Sequence, residues 1–332
     1  MTVPTSLREL TKLADYIVPF ALRAVCDLRV ADHLADGPRS VEDLALATGS
    51  HARTLYRAMR VLACNGVFTE TEPRVFAMTP LAEPLRTDSP WSVREAYPLL
   101  TADIMAWAHL GHTLRTGEPA FARANGMDAW EWFAAHPAES ARFDASQQAV
   151  TRREVRSLIP AYPWGSFETI VDVGGGTGAF ICALLAAFPA LRGTLFDQPH
   201  VVAAAGPVLA AAGVAGRCEV VGGSFLEAVP AGAQAYVLKR IVYGLGDEDA
   251  VGVLRLIRAA MRPGGRVLII EPVVVPGNEF DRGKLYDLLL VTMSGGGGRT
   301  REELEEILAK ADLELVRVIA TSSLPIIEAR PS

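Results

Sequence analysis

The sequence predicts an α/β protein, a doubly wound, Rossmann-like sheet preceded by a mainly α-helical domain, and three observations carry that prediction. From residue 167 onward, short runs of β-branched and aliphatic residues alternate with helix-length segments, the pattern of parallel strands joined by crossover helices. One run, Thr169-Ile170-Val171-Asp172-Val173, leads directly into Gly174-Gly175-Gly176-Thr177-Gly178, where glycine lets the backbone turn tightly against a ligand. Before residue 100 the apolar spacing is helical, with breaks at Asp36-Gly37-Pro38, Thr48-Gly49-Ser50 and Asn65-Gly66. At 332 residues, half of them hydrophobic and 21% charged, the chain has material for two domains and a large core. The expected division is 1–100, a helical segment 101–160 that contributes to a substrate pocket, and 161–332.

The first domain opens its clearest helix at Ser40-Val41-Glu42-Asp43, read as a capping box with Ser40 as N-cap and Asp43 in place of the usual Glu. A second helix, His51 to Cys64, places Leu55, Met59 and Leu62 on one face. Gly66–Glu70 and Arg74–Met78 then read as two strands around a turn. Helices followed by a β-hairpin form the winged-helix pattern, which raises DNA binding. Residues 1–88 hold ten Lys or Arg against eleven Asp or Glu, so the domain has no positive excess to offer phosphate. It reads as a dimerisation unit.

The segment from about 100 to 160 is helical and rich in aromatics, among them Trp107, Phe121, Trp130, Trp132 and Phe143. Aromatics on a helix face are mostly packing, and a few could line a pocket for a flat, apolar substrate. The predicted strands after it are Ile170–Val173, Gly193–Phe196, Cys218–Val221, Ala235–Leu238 and Arg266–Ile270, closed by an antiparallel pair near Leu315–Ile319 and Leu324–Ala329.

In such a sheet the ligand lies at the carboxyl ends of the first strands. The helix from Ala179 points its N-terminus at the glycine turn. Asp197 ends the second strand, nineteen positions after Gly178, where a carboxylate can accept both hydroxyls of a ribose. The turn is a nucleoside-cofactor site. Gly174, Gly176 and Ala179 also satisfy the dinucleotide spacing, so a nicotinamide or flavin stays open on the glycines alone. Asp172 favours another cofactor: an acid two residues before the first glycine repels a pyrophosphate and suits the amino group of S-adenosylmethionine.

Four motifs stand in one order: Val171–Gly178, Leu195-Phe196-Asp197-Gln198-Pro199, Gly223-Ser224-Phe225, and Met261–Glu271. With the winged helix before them, they resemble the S-adenosylmethionine-dependent small-molecule O-methyltransferases of plant phenolic and bacterial polyketide pathways. The resemblance covers nearly the whole chain. It implies a class I cofactor-binding fold, a homodimer exchanging N-terminal helices, and a small aromatic or polyketide-type substrate from secondary metabolism. It also implies roles: Gly174 and Gly176 approach the cofactor, Asp197 holds the ribose, Ser224 and Phe225 contact adenine, and Lys239 stands near the methionine end.

The departures are as informative. The family follows the lysine with His-Asp-Trp, the His being the general base; here Tyr243-Gly244-Leu245 occupies those places. A phenol with a pKa near 10 is a poor base at pH 7, though it can donate a hydrogen bond. A glutamate that often precedes Arg-Thr in the family is replaced by Gly298, while Glu271, which matches the acid supporting the absent His, is retained. Tyr243 and Glu271 are therefore the catalytic candidates. Two functions follow: methyl transfer without the usual base, or a cofactor-retaining relative that catalyses hydroxylation, decarboxylation, cyclisation or rearrangement. The run Gly295–Gly298 is expected to be a mobile loop at the pocket mouth, or a close approach to a bulky substrate.

Several classes are set aside. A net charge of −6 argues against a nucleic-acid partner. No apolar run reaches 18 residues and no signal-like N-terminus is present, which argues against a membrane span or secretion. Cys26, Cys64, Cys182 and Cys218 are too scattered for a thiolate metal site and read as reduced thiols of a cytoplasmic protein. His109 and His112, three apart on the aromatic helix, have no third ligand near them, so no metal is expected.

Overall fold

The computed structural model describes residues 4–332 as two compact units, each taken by itself below. The first comprises the described residues up to Leu100 together with Ala145–Val150; the second comprises Thr101–Asp144 and Thr151–Ser332.

In the first unit, Ser40 caps the helix Val41–Thr48 by accepting the Asp43 N–H. The expected box is only half formed. The Asp43 side chain accepts the Ser40 hydroxyl at 2.7 Å, a shorter reach than the return to the Ser40 backbone that Glu makes in a full box. Gly49, at φ 65°, ends that helix in the left-handed conformation. In the next helix, Ala52–Cys64, Leu55, Met59 and Leu62 are all buried, one apolar stripe as their spacing requires. The wing consists of β1 (Arg39–Ser40), β2 (Phe68–Glu72) and β3 (Val75–Met78), with β3 antiparallel to both neighbours. None of the residues of helix Thr5–Leu13 is buried, and Leu13 is 84% exposed.

The second unit is built on a seven-stranded sheet. Its strands are β4 (Thr169–Val173), β5 (Arg192–Asp197), β6 (Cys218–Gly222), β7 (Ala235–Lys239), β8 (Arg266–Ile270), β9 (Leu313–Ile319) and β10 (Ile326–Pro331). The spatial order is β6-β5-β4-β7-β8-β10-β9. The first five run parallel, and β10 lies antiparallel to both β8 and β9. Alternate residues serve opposite faces. Ile170, Leu195, Val237 and Leu268 pack with the helix Ala179–Ala187 and with Trp164. Val171, Val173, Leu238 and Ile269 pack with the helices Asp247–Ala260 and Arg301–Lys310. With both faces covered, the strands have no place for polar alternation, which is why they read as unbroken apolar runs. Thr300 and Glu303 complete a capping box at the start of Arg301–Lys310. Among the described residues no helix is long and apolar enough to cross a membrane.

The order reverses at β4, whose neighbours β5 and β7 lead to opposite sides. The carboxyl ends of β4, β5, β7 and β8 consequently share one edge, and every singled-out residue except Ser224 and Phe225 lies on or just after one of them.

Candidate functional site

The glycine turn leaves β4 with Gly174, Gly176 and Gly178 at φ 68°, 63° and 94°, all in the region that side chains disfavour. A Cβ on Gly174 would also run into Ile241 Cδ1 and lie 3.5 Å from Phe225. That contact ties the turn to the segments after β7 and β6. The Gly174 N–H donates to the Phe196 carbonyl at 2.8 Å, and the Gly176 N–H donates to Asp197 Oδ2 at 2.7 Å. Asp197 Oδ1 accepts the Gln198 N–H. One carboxylate thus fixes the turn and stands at its rim. Burial raises the Asp197 pKa against those two backbone bonds.

Asp172 lies beneath the turn, 1% exposed. Neither of its oxygens makes a hydrogen bond of good geometry among the described residues. Desolvation pushes its carboxyl up to about 7; the Lys239 ammonium opposes this and Asp197 adds to it, while the poorly aligned Ile181 N–H has the smallest influence. An acceptor pair left unmade in the interior costs roughly 1–3 kcal/mol or more, so the place suits a ligand that brings a cationic donor. A nucleoside with a positively charged amino-acid tail has that chemistry, and a pyrophosphate does not. Ser224 caps the turn that follows β6, accepting the Leu226 N–H at 3.3 Å, and the half-buried Phe225 packs on the sheet core.

After β7 the site becomes a side-chain network. Lys239 Nζ lies 2.8 Å from Glu154 Oε2 and donates to Thr151 Oγ1 at 2.9 Å. Arg240 donates to Glu154 Oε1 at 2.5 Å, to the Tyr243 phenol at 3.2 Å and to the Tyr286 phenol at 3.3 Å. Glu154 overcomes burial only because these two cations face it, and its pKa is lowered. Arg240 itself sits at φ 61°, a backbone region costing a non-glycine residue about 1–2 kcal/mol. Its N–H donates to the Ile270 carbonyl of β8 at 3.0 Å.

Neither catalytic candidate is placed as a working base. Tyr243 is 7% exposed, and burial pushes its phenol up to about 12 against the pull of Arg240. Glu271 is 1% exposed, its carboxyl raised by burial to about 7, and its Oε2 accepts the Tyr243 N–H at 3.0 Å. It anchors the turn that carries Tyr243. His112 pairs with Glu118 at 3.2 Å and His109 begins the helix Leu110–Thr116. Among the described residues no group of three metal-type ligands occurs.

The glycine run Gly295–Gly298 departs from the expected mobile loop. The Gly297 N–H donates to the Tyr243 carbonyl at 2.8 Å, and the Gly298 N–H donates to Asp287 Oδ1 at 3.0 Å. A Cβ on Gly296 would lie 2.5 Å from the Gly244 carbonyl carbon. The close approach is real, but it is made to the backbone of the Tyr243 turn. Four residues without side chains let that segment pack flat there.

Sequence reasoning missed Glu154, Tyr286 and Asp144. Glu154 lies 86 residues from Arg240, and no local spacing links them. Asp144 feels both Asp197 and His200, and burial pushes it up to about 6. A positively charged pair at Lys239-Arg240 ending a buried strand was the available signal that a buried acid must face it.

Comparison with known proteins places this arrangement. The profile of an O-methyltransferase domain matches residues 107–314, and that of an O-methyltransferase dimerisation domain matches residues 11–88. A phenazine O-methyltransferase of Lysobacter antibioticus is 39% identical over 99% of this chain and 97% of its own. The crystal structure of an O-methyltransferase from neocarzinostatin biosynthesis, in complex with S-adenosylmethionine and 2-hydroxy-5-methyl naphthoic acid, superposes with a TM-score of 0.85. It is 34% identical and covers 97% of this chain and 98% of the other. An aclacinomycin 10-hydroxylase of Streptomyces purpurascens is 33% identical over 95% of this chain and 87% of its own.

Proposed function

The chain belongs to the family of O-methyltransferases that carry a dimerisation domain, and on that premise we propose that it methylates a small aromatic or polyketide-type metabolite without a histidine base. Its cofactor is S-adenosylmethionine, which supplies an electrophilic methyl group on a sulfonium. The residues proposed to hold it are Asp172, Gly174, Gly176, Asp197, Ser224, Phe225 and Lys239. Asp172 takes the cationic tail, Asp197 the ribose hydroxyls, and Phe225 one face of the adenine. The enzyme is a cytoplasmic homodimer. The unburied apolar residues of helix Thr5–Leu13 supply surface for the partner subunit.

One observation carries the reading: an unpartnered buried carboxylate beneath a left-handed glycine turn, joined to a strand end where Tyr243 replaces the base. Proton removal by a base contributes about 10²- to 10⁴-fold in rate. An acceptor that ionises easily does not need it, because alignment of nucleophile, methyl carbon and sulfur supplies much of the rate by itself.

A second reading has its own support. The relative that is a 10-hydroxylase is as similar as several of the methyltransferases, and loss of the base with retention of the cofactor turn suits a non-methylating reaction. In that case the sulfonium acts only as a fixed positive charge beside the substrate.

The test is a mass-spectrometric screen of the protein with S-adenosylmethionine against phenolic and aromatic polyketide acceptors. Methyl transfer is supported by products heavier by one methylene, formed in equal amount with S-adenosylhomocysteine. Products that are isomeric, decarboxylated or oxygenated, formed without S-adenosylhomocysteine, overturn it in favour of the second reading.

A further inference from the structure

After β7 two buried cations, Lys239 and Arg240, share the carboxylate of Glu154. Among the described residues no other carboxylate forms an ion pair with either. Asp172 and Glu271, both raised by burial to about 7, act on them only at longer range, and desolvation lowers the Lys239 pKa. Tyr243 and Tyr286 offer phenols, not carboxylates. Arg299 is a further cation, satisfied by Asp247 at 2.8 Å and by the carbonyls of Val242 and Leu245. A guanidinium has five N–H donors, more than Glu154 and two phenol oxygens occupy at Arg240, and that spare capacity suits an anion.

The donors for that anion are already gathered. Among the described residues, Arg240 Nε has no hydrogen-bond partner although it is buried. Both tyrosines accept from Arg240, and among the described residues no acceptor is in place for either phenol proton. The two rings are 6.1 Å apart and inclined at 48°, and the Arg240 guanidinium lies 5.0 Å from the centre of the Tyr286 ring. Tyr286 is half-buried and opens the cluster outward, whereas Tyr243 and Arg240 close it from within. The left-handed backbone at Arg240 keeps the guanidinium at this strand end, next to Ile241, whose side chain sits on the cofactor turn at Gly174.

We propose that Arg240, with the phenols of Tyr243 and Tyr286, binds the acceptor as its oxyanion, so that the substrate is an acidic phenol or enol already ionised when it meets the cofactor. This rests on the methyl-transfer reading. The acceptor loses its proton to solvent on binding. The oxyanion then forms an O–C bond to the methyl carbon as the C–S bond breaks, and the bonding pair goes to sulfur. The products are a neutral methyl ether and a neutral thioether. Arg240 and the tyrosines replace the base by making deprotonation favourable, and none of them accepts the proton.

The test uses the full-length protein loaded with S-adenosylhomocysteine and 4-nitrophenol as probe, whose anion is yellow. Absorbance against pH gives the apparent pKa of the bound probe. The expected result is a bound value at least one unit below that in solution, a tenfold gain in anion. Arg240→Gln should abolish the shift, Arg240→Lys should keep part of it, and Tyr286→Phe should reduce it about threefold while leaving S-adenosylhomocysteine affinity unchanged. That affinity also reports whether each variant is folded. If Arg240→Gln does not fold, Tyr286→Phe decides the matter. A probe that titrates as in solution, a shift indifferent to these substitutions, or no binding of the anion overturns the proposal.

The same samples, supplied with S-adenosylmethionine, separate the two claims. An anion shift without methylation leaves the oxyanion site standing and removes the methyl-transfer reading. Methylation without a shift does the reverse.

Discussion

At the β4–β5 edge the site is made of backbone: three left-handed glycines, three N–H groups spent on Phe196 and Asp197, and one buried carboxylate without a well-formed hydrogen bond among the described residues. At the β7–β8 edge it is made of side chains: Glu154 of the helix Pro137–Ala161, Tyr286 of the helix Arg282–Met293, and Lys239, Arg240, Tyr243 and Glu271 at or after the ends of β7 and β8. The first edge is fixed by conformations that only glycine adopts without strain, so its shape tolerates few substitutions. The second is fixed by side-chain chemistry that can be exchanged residue for residue, and the proposed function rests on such an exchange at Tyr243. The comparison teaches where such a fold can change reaction without losing its cofactor.

The largest expected effects separate the two edges directly. Gly174→Ala imposes roughly 1–2 kcal/mol for the left-handed backbone and roughly 1–3 kcal/mol for overlap with Ile241. S-adenosylmethionine affinity should fall by about thirtyfold or more, measured by calorimetry. Gly296→Ala collides with the Gly244 backbone and displaces the Tyr243 turn. Turnover should fall about tenfold with cofactor affinity kept. Equal losses of both quantities in both variants would mean that the edges are not separable.

A smaller effect follows from the carboxylates. The folded pKa of Asp172 is about 7 against about 4 for an exposed aspartate. Below pH 4 both states of the chain hold the proton. Between pH 4 and 7 only the folded state does, so the stability of the cofactor-free protein falls as pH rises through that window. The change is on the order of a few kcal/mol. Glu271 contributes in the same sense. Asp172→Asn should flatten the slope in urea unfolding series at pH 5 and 7.5. A cationic cofactor favours the ionised carboxyl, so binding to the wild type should release a proton and tighten with rising pH. Unchanged slopes in the variant would remove Asp172 from this role.

The smallest effect is expected where the family resemblance predicts the largest. Tyr243→His supplies a histidine where the resemblance places the base, but not the Asp it places at Gly244 or the Glu at Gly298. With an acidic acceptor the gain in turnover should stay below about tenfold, since base assistance is worth little once the acceptor is ionised. A gain of a hundredfold would show that the proton is still the obstacle.

The sheet was legible from the sequence because burial on both faces of its central strands leaves apolar runs, and the left-handed turn after β4 because glycine spacing records backbone shape. The places of Asp172 and Asp197 beside that turn were legible because position ties them to strand ends. The β7–β8 edge was legible only as departures from the family resemblance at Tyr243, Gly244 and Gly298. What fills it depends on Glu154 and Tyr286, brought to Arg240 across 86 and 46 residues, and tertiary contacts at such range leave no periodic mark. The glycine run illustrates the same limit. Its composition announces close approach, but only the fold shows that the partner is the turn carrying Tyr243.

The most direct test of base-free transfer is the pH dependence of single-turnover methylation for two acceptors of the same shape and different acidity. If the acceptor reacts as its oxyanion, the acidic limb moves with the acceptor, by the difference between the two acceptor pKa values. A limb fixed at one pH for both would contradict it, because a group of the enzyme would then be removing the proton.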